Sequence, residues 1–348
     1  EASLENQNEA LLNFHAESHF IGYDVLNTTA KVIGLFQDGK AVNEAQGECL
    51  VVLDQTPFYA LSGGQIGDIG TITKQNKKSF VSSTIKLPNN QHGCLTHAQL
   101  TLHMGDSVEV EVDAAFRNDV MKNHSATHLL NAALRVVLGN HVVQQGSSLN
   151  NKTLRFDFNH FQAPTKEELL RIEKIVNEKI QEKKDVVIQE MPLSKAREMD
   201  IQAVFGEKYA DVVRVIDMDF SKELCGGTHV DNTGEIEQFA ILSCETKGSG
   251  IYRIEGATSS AISKALEEAT SSLQSEIESV LQKKDAILLL AKEHNIALDF
   301  DFQYDITISP SYQTVITTHQ YLANLQDAVK ELDKEFQKKQ RENSILPL

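Results

Sequence analysis

The spacing of apolar residues along the chain changes near Asp113. Of all the sequence features, this change most restricts the folds that the chain can adopt. Before that point, apolar residues stand in short runs separated by turn residues. From Ala114 onward they recur at helical spacing for more than twenty residues, in the segment AAFRNDVMKNHSATHLLNAALRVVL. Strands alternate their faces with a period of about two residues, whereas helices repeat about every 3.6 residues. The sequence therefore predicts a β-rich part followed by a part that opens with a long helix.

The segment before the long helix, residues 1–112, is predicted to form a small β-barrel-like domain. From about Phe20 its strand-like runs are KVIGLF, CLVVLDQTPFYA, GTIT, SFVSSTIKL and DSVEVEVD, and the glycine-rich break SGGQIGDIG lies among them. Short strands at this spacing are typical of small barrels and of sandwiches, so the pattern alone does not choose between the two.

Residues 113–258 are predicted to form an α+β domain with an antiparallel sheet and long helices. After the long helix comes the strand-like LRFDF, and then a capping box in which Thr165 stands three residues before Glu168. The box marks the start of a second amphipathic helix, LLRIEKIVNEKI, and VVIQEMP is a further strand candidate. This mixture of helices and separated strands is typical of the α+β class.

Residues 259–348 are predicted to be a helical C-terminal region, because the composition shifts there to Ala, Ser, Glu, Lys and Leu. The segment SKALEEATSSLQSEIESVLQKKDAILLLAKEH is interpreted as one long helix. A stretch with strand character around DITISPSYQTVITT separates it from a tail helix, LANLQDAVKELDKEFQKKQRE. The tail pattern suits half of a coiled coil, one arm of a helical hairpin and an amphipathic surface helix equally well.

The charge of the chain limits its partners. Lys and Arg number 33 against 49 Asp and Glu, which gives a net charge of −16. A field of this sign repels nucleic acid, so we expect no DNA binding, and any contact with RNA must use a local patch. No window approaches the roughly 18 consecutive apolar residues that a membrane span needs, so no membrane partner is expected. The oligomeric state is left open.

The distribution of the cysteines and the sequence of the first residues indicate the cellular compartment of the protein. Cys49, Cys94, Cys225 and Cys244 are spread thinly, unlike the dense cysteine frameworks of secreted domains. The sequence begins at Glu1, and its opening stretch has neither the basic region nor the cleavage site of a signal peptide. We therefore expect a cytoplasmic protein and interpret the sequence as an excised part of a longer chain.

Two histidines on the long helix are candidates for metal ligands. His124 and His128 stand four residues apart in NHSATHLL, and this step places both imidazoles on one helix face. The spacing alone says little, because His15 and His19 share it in FHAESHF. Incidental surface or core histidines are the ordinary interpretation of either pair.

A second pair of metal-ligating residues distinguishes His124 and His128 from that control. Cys225 and His229 flank a Gly-Gly turn in LCGGTHV. Three imidazoles and one thiolate form a tetrahedral set that suits zinc better than other abundant ions. Taken singly, Cys225 could be a small buried hydrophobe and the glycines a plain turn. The joint pattern predicts a site for one zinc ion.

Several ordered motifs together resemble the editing domain of alanine-tRNA ligases and the freestanding editing proteins related to it. These are FYALSGGQIGD, NHSATHLLNAALRVVLGNHVVQQGSSL, LRFDF, FGEKYADVVRV, LCGGTHV and GIYRIEGAT. The resemblance covers roughly Phe20 to Thr258, and the C-terminal helices match more weakly, as the start of the ligase's terminal region. Two positions depart from the family pattern: Leu61 replaces an acidic residue, and Tyr252 stands where a basic one is common.

The resemblance implies hydrolysis of the ester that joins serine or glycine to the tRNA for alanine. A pocket that accepts alanine cannot exclude glycine by size, and one small group changes binding by only about 1–3 kcal/mol. By resemblance, Thr127 would recognise the hydroxyl of a misattached serine, and Gln144 and Ser147 would line the pocket. Their ordinary interpretations are a helix hydroxyl bonded to a preceding carbonyl and a polar turn.

The same residues can be compared with what other functions would require. A metalloprotease of the zincin type needs Glu directly after the first His, whereas Ser125 follows His124 here. A freestanding editing hydrolase and a non-catalytic, zinc-stabilised tRNA-binding module both remain open. Four protein ligands would close a structural zinc site, so catalysis requires Cys225 or His229 to yield, or a larger coordination number. No phosphate-binding loop is present, so ATP and alanine would belong to an intact ligase.

Overall fold

The computed structural model describes residues 8–201, 209–304, 306 and 308–345. The expectation for Glu1 and the FGEK portion of the motif FGEKYADVVRV, residues 205–208, lie outside the described residues. The chain forms a mixed α+β structure with antiparallel sheets, as predicted.

A closed barrel occupies the N-terminal part, after a short helix α1 (Glu9–Leu12). The strands of this part are β1 (His19–Phe20), β2 (Asn27–Gln37), β3 (Lys40–Ala41), β4 (Glu44–Leu53), β5 (Gln55–Thr56), β6 (Gly70–Lys74), β7 (Lys77–Lys86), β8 (His92–His103) and β9 (Ser107–Val112). Strands β1 and β5 pair with each other in a separate parallel sheet. Antiparallel pairing follows the order β2-β4-β8-β7-β6-β9, and β9 pairs back with β2 to close the ring. Alternate apolar side chains, among them Val51, Ile72 and Val110, fill the interior. The predicted barrel-like fold of the N-terminal part is confirmed.

The long helix α2 (Ala114–Leu138) spans the segment whose period predicted it. The Asp113 side chain accepts the Phe116 N–H at 3.0 Å, which caps the first turn. Gly139 follows the helix with a φ of 127°, a value that favours glycine and ends the helix there. Most of the second half of α2 is buried in the largest apolar cluster of the molecule.

The elements after α2 build two antiparallel sheets. They are β10 (Gln144–Leu149), β11 (Leu154–Asn159), α3 (Lys166–Gln181), β12 (Val187–Pro192), α4 (Leu193–Glu198), β13 (Val212–Asp217), β14 (Lys222–Leu224), β15 (Phe239–Gly248) and β16 (Ile251–Thr258). The strand orders are β10-β11-β16-β15 and β12-β13-β14. Helices α2 and α3 cover the first sheet around Phe156, Phe239 and Ile254. Thr165 and Glu168 form the predicted capping box at the start of α3.

The C-terminal part contains α5 (Ile262–Ala269), α6 (Ser271–Glu293) and α7 (Tyr312–Ile345). The prediction of one long helix before the tail is wrong, since the chain bends at Thr270. The Thr270 hydroxyl donates to the Leu266 carbonyl at 2.9 Å, a local bond that bends helices. The predicted strand character is also wrong from Tyr312 onward, because Val315 packs on the sheet as part of α7. Residues 305 and 307 of that stretch lie outside the described part.

Helices α6 and α7 pack along each other and run in the same direction. Both begin beside the first sheet, and near their far ends the Lys339 amine donates to the Ala297 carbonyl at 2.8 Å. Leu325, Val329 and Phe336 of α7 are buried in the shared apolar cluster. The tail is therefore neither an isolated surface helix nor an arm of an antiparallel hairpin.

A buried carboxylate on α3 fixes where α7 starts. Glu173 accepts the backbone N–H groups of Tyr312 and Ile241, both at 2.8 Å, and the Ser311 hydroxyl. Burial raises the pKa of Glu173, while these donors act against the rise. Since α5 and the start of α7 also cover β15 and β16, residues beyond 258 pack on the sheet. The division into 1–112, 113–258 and 259–348 stays a prediction.

The barrel and α2 are joined by a buried ion pair. Arg117 contacts Asp68 through Nε at 3.0 Å, and the two side chains are only 3% and 1% exposed. The same guanidinium donates to the carbonyls of Gly22 at 2.6 Å and Pro57 at 2.8 Å. In the described part of the chain, no helix has the length and apolar content needed to cross a membrane.

Replacing Arg117 by Ala is expected to lower the free energy of unfolding by about 3–5 kcal/mol, because Asp68 would stay buried without a partner. Urea denaturation measures the loss. The matched control is Arg155→Ala, which removes an exposed ion pair with Glu255 and should cost less than about 1 kcal/mol. Equal losses in the two variants would show that the buried pair does not hold the barrel to α2.

Candidate metal centre

The structure brings the four predicted metal ligands together. His124 and His128 stand one turn apart on α2 with their rings stacked, and Cys225 and His229 lie on the loop after β14. Their ligand atoms all lie within 4.8 Å of one another. This group could therefore hold a metal ion.

The distances inside the cluster match a tetrahedral zinc site. Cys225 Sγ lies 3.3 Å from His124 Nε2 and 3.4 Å from His229 Nε2. Bonds of about 2.3 Å to sulfur and about 2.0–2.1 Å to nitrogen would put these atoms roughly 3.6 Å apart. The Nε2 atom of His128 is buried and has no hydrogen-bond partner among the described residues. A metal ion would satisfy this atom.

Each imidazole of the cluster has a partner for its outer nitrogen, Nδ1. Such partners fix the tautomer of a metal-binding histidine and orient its ring, so that Nε2 presents a lone pair to the ion. The three pairs are His124 with Gln65 Oε1 (2.7 Å), His128 with Glu223 Oε2 (3.0 Å) and His229 with Ser125 Oγ (3.2 Å). The chain thus supplies both the ligands and the groups that orient them.

The electrostatics of the cluster favour the ligand form of the thiol. Burial raises the pKa of Cys225, but the imidazoles around it outweigh burial and hold the pKa well below its ordinary value. Burial lowers the pKa of His229 to about 3. Burial would also lower the pKa of His128, yet the Glu223 carboxylate raises it to about 10, so a metal ion would have to displace the proton on Nε2. The site thereby favours a thiolate, which is the form that binds metal.

Gly227, the second glycine of the Gly-Gly turn, is required by the closeness of the two half-sites. A Cβ atom on Gly227 would collide with the His124 ring and with the Gln65 amide. No other residue leaves room for the loop to pass so close to α2. The turn is thus part of the site and not a plain connection.

The cluster lies in a cavity of about 730 Å³ that also contains the other predicted site residues. Thr127, Gln144 and Ser147 all line it. The Gln144 amide donates to the Ser147 hydroxyl at 3.1 Å. The Thr127 hydroxyl donates to the Asn123 carbonyl at 2.7 Å, so its oxygen can act towards the cavity only as an acceptor.

The barrel closes one side of the cavity. Tyr23 donates to the Gly226 carbonyl, and the Arg214 guanidinium lies 3.9 Å from the centre of the Tyr23 ring. Arg214 also donates to the Gly227 carbonyl at 2.6 Å, so it braces the loop that carries Cys225. The cavity is thereby built from the barrel side, α2, β10, the sheet β12-β13-β14 and the loop after β14.

Several of these residues belong to no sequence pattern that would assign them a role at the site. Gln65 and Ser125 lie inside motifs that were recognised, and Glu223 stands two residues before Cys225, but no local pattern says which imidazole each would meet. Arg214 lies in the strand-like YADVVRV and gives no signal beyond its charge. For the groups that orient the imidazoles, the sequence offers one sign only, which is an amide or a carboxylate close to a ligand motif.

The other residues singled out in the sequence lie outside the cluster of candidate ligands. His15 and His19 are exposed and lie outside any helix, so their spacing has no structural meaning. Leu61 is 52% exposed, and Tyr252 is buried beside Phe158 in the core. Neither departure from the family pattern is among the described residues that line the cavity.

Two family models match the chain. A model of the class II tRNA synthetases (A) matches residues 1–116. A model of the threonyl and alanyl tRNA synthetase second additional domain matches residues 213–255, which include the Cys225–His229 loop.

Curated relatives cover nearly the whole chain. The alanine–tRNA ligase of Acholeplasma laidlawii is 40% identical over 345 residues, which are 99% of this chain and 38% of that protein. The enzyme of the same name from Bacillus velezensis is 47% identical over 278 residues, 78% of this chain and 31% of that protein. The Staphylococcus aureus enzyme is 40% identical over 95% of the chain. The chain spans about a third of the length of these relatives.

We expect the double variant His124→Ala, Cys225→Ala to lose the metal ion, because it removes one ligand from each half-site. Elemental analysis after dialysis should find about one zinc per unaltered chain and close to none per variant chain. The variant His15→Ala, His19→Ala is the control and should keep its zinc. Retention of a full equivalent by the first variant would refute the assignment.

Proposed function

The chain belongs to the alanine-tRNA ligase family, and from this premise we propose that it hydrolyses the ester bond between tRNA and a wrongly attached amino acid. The substrates proposed are the tRNA for alanine carrying serine or glycine. One observation carries the proposal: the ligand atoms of His124, His128, Cys225 and His229 converge beside a cavity that the first three of these residues line together with other polar side chains. Such a cavity combines a site for a metal ion with room for an aminoacyl ester.

We propose zinc as the metal, because its ligand set is one thiolate and three imidazoles at tetrahedral separations. When bound, zinc would supply Lewis-acid polarisation of the ester carbonyl and a water of lowered pKa. The chain's own part is to hold the ligands in their binding tautomers. Gln65, Glu223 and Ser125 do this through Nδ1 of the three imidazoles.

Thr127 is proposed to recognise serine as a hydrogen-bond acceptor. Its hydroxyl hydrogen is engaged by the Asn123 carbonyl, so its oxygen can receive the hydrogen of a serine hydroxyl. Alanine lacks that hydroxyl and would leave the Thr127 oxygen unpaired in a closed pocket. An unpaired buried polar group costs about 1–3 kcal/mol, which corresponds to roughly 5- to 150-fold discrimination.

Gln144 and Ser147 are proposed to orient the ester on the opposite wall. Their mutual hydrogen bond fixes both side chains, since the Gln144 amide is a donor to Ser147. The Gln144 carbonyl oxygen and the Ser147 hydroxyl then offer an acceptor and a donor to the amino group and the ribose. Because Ser147 lies next to the turn that carries Gln65, this wall is built where the barrel meets β10.

The proposed partner is tRNA, and the proposed location is the cytoplasm. The net charge of −16 opposes RNA binding, so contact with tRNA must be local and weak for this chain alone. None of the four cysteines, all of which lie in the described residues, forms a disulfide, which suits a reducing compartment. Attachment of alanine to tRNA with ATP would belong to a longer ligase.

The first test is release of the amino acid from charged tRNA. We expect the chain to release serine from the tRNA for alanine faster than it releases alanine, and a zinc chelator to stop the reaction. Radiolabelled amino acid that remains on the tRNA is measured over time. A folded, zinc-loaded chain that leaves serine attached would instead favour a non-catalytic binding module. A freestanding editing hydrolase shares the same chemistry.

Replacing Thr127 by Val is expected to reduce the ratio of the serine rate to the alanine rate by roughly 5- to 150-fold. Valine keeps the β-branched shape and removes the acceptor. Zinc content should be unchanged, since Thr127 is not a ligand.

The matched control is Thr127→Ser, which keeps the hydroxyl and should keep most of the selectivity. If Thr127→Val leaves the rate ratio unchanged, Thr127 is only a helix residue, and the selectivity must come from Gln144, Ser147 or another group.

A further inference from the structure

We propose that Gln65, a residue of the barrel, is a positioning residue that fixes the tautomer of His124 and ties the two halves of the metal site together. Gln65 lies on the turn between β5 and β6 and is fully buried. Its side chain reaches His124 on α2 and Thr228 on the loop that carries the other two ligands. The inference rests on the metal site of the proposed function, but not on ester hydrolysis.

The orientation of the Gln65 amide follows from one backbone group. Its Oε1 lies 2.9 Å from the Thr228 backbone N, and an N–H can only donate. The atom that faces this N–H must therefore be the amide oxygen and not the amide nitrogen. Gln65 Nε2 is then free to donate to the Thr228 hydroxyl, from which it lies 2.7 Å away.

The same oxygen fixes the proton of His124. Gln65 Oε1 lies 2.7 Å from His124 Nδ1, and an oxygen that only accepts requires Nδ1 to carry the hydrogen. Nε2 of His124 then presents its lone pair to the cluster, where Cys225 Sγ lies 3.3 Å away. Without Gln65, the neutral ring could place its hydrogen on Nε2, a form that cannot bind metal.

Gln65 also connects parts of the chain that are far apart in sequence. His124 belongs to the helical half-site, whereas Thr228 stands between Cys225 and His229 in the loop half-site. One oxygen accepts a hydrogen from each half, so it sets the separation of the two halves. Loss of this link would disturb all the loop ligands as well as the tautomer of His124.

Backbone bonds to β10 hold the turn on both sides of Gln65. The Gly64 carbonyl accepts the Leu149 N–H at 2.8 Å, and the Ile66 N–H donates to the Leu149 carbonyl at 3.1 Å. The turn is thereby docked on β10 as a short bridge. Gly64 has a φ of +83°, and a Cβ there would collide with Ser147, so glycine is required for this approach. The Gln65 side chain thus starts from a fixed backbone.

Three variants of the full chain test the inference through zinc affinity, measured by competition with a chromophoric chelator. Gln65→Met keeps the length of the side chain and removes both hydrogen-bonding groups, so affinity should fall by about 10- to 100-fold. Gln65→Glu keeps an oxygen that can accept from His124 Nδ1 and from the Thr228 N–H, so it should restore affinity to within a few-fold of the unaltered chain.

The control is Gln91→Met in the same barrel. Gln91 is 3% exposed and donates to the carbonyls of Phe14 and Ala16, both at 3.0 Å, so the change removes similar buried bonds away from the metal. Its zinc affinity should be unchanged even if its thermal stability falls. Circular dichroism before each titration confirms that the variants are folded.

The outcomes separate this inference from the proposed function. Unchanged affinity in Gln65→Met, or equal losses in Gln65→Met and Gln91→Met, would overturn the positioning role. A selective loss that Glu restores supports it, even if the zinc-loaded chain releases no serine, which would overturn only the hydrolytic proposal. Failure of the unaltered chain to bind zinc would overturn both.

Discussion

One face of α2 meets the barrel twice, and the rest of the site depends on these two contacts. Arg117 is held by Asp68, and His124, two turns further along the same face, is held by Gln65. Since seven residues make about two helical turns, the spacing of Arg117 and His124 puts both side chains towards the barrel. The ion pair holds α2 against the barrel, and the amide orients the ring of a candidate metal ligand. A rotation of α2 would break both contacts together, so the barrel fixes the phase of the helix as well as its location.

The cavity therefore belongs to no single layer of the fold. The wall with the candidate ligands comes from α2 and the loop after β14, and a polar wall comes from β10. The remaining sides come from the second sheet, with Glu190 and Arg214, and from Tyr23 and Tyr59 of the N-terminal part. The barrel has its own closed core and no side chain among the four ligands. It acts on the site through hydrogen bonds to the ligands and to the loop that carries them. This explains why the glycines at 64 and 227 stand where backbone and ligand come close, since each removes a side chain that would keep two parts of the chain apart.

Local sequence patterns predicted much of this structure. The elements that they failed to predict have physical explanations. The bounds of α2 and the box at Thr165 follow from periodicity and capping, which are local. Strand β8 was not predicted, because His, Thr and Gly interrupt its apolar residues although its pairing with β4 and β7 buries them. The ligand types could be read from two motifs, but the partner of each imidazole could not, since Gln65 lies 59 residues from His124 and reaches it only through tertiary packing. The helical start at Tyr312 was likewise decided by contacts with the sheet, which outweigh intrinsic preference, whereas the break at Thr270 goes with a local bond to the Leu266 carbonyl.

Helices α6 and α7 run parallel and are attached at one end, so a small tilt at that end would produce a large displacement at the other. Both helices are attached at the same end: α6 continues from the bend at Thr270, and α7 begins where Glu173 holds Ser311 and Tyr312. With 34 residues, α7 extends about 51 Å from this attachment, so a tilt of about 5° at its base would carry its tip through roughly 4 Å. Because the two helices share an apolar seam along their length, they would swing as one rod. The Glu173 carboxylate at the start of that rod also bonds β15, so the base of α7 and an edge strand of the sheet share one buried anchor.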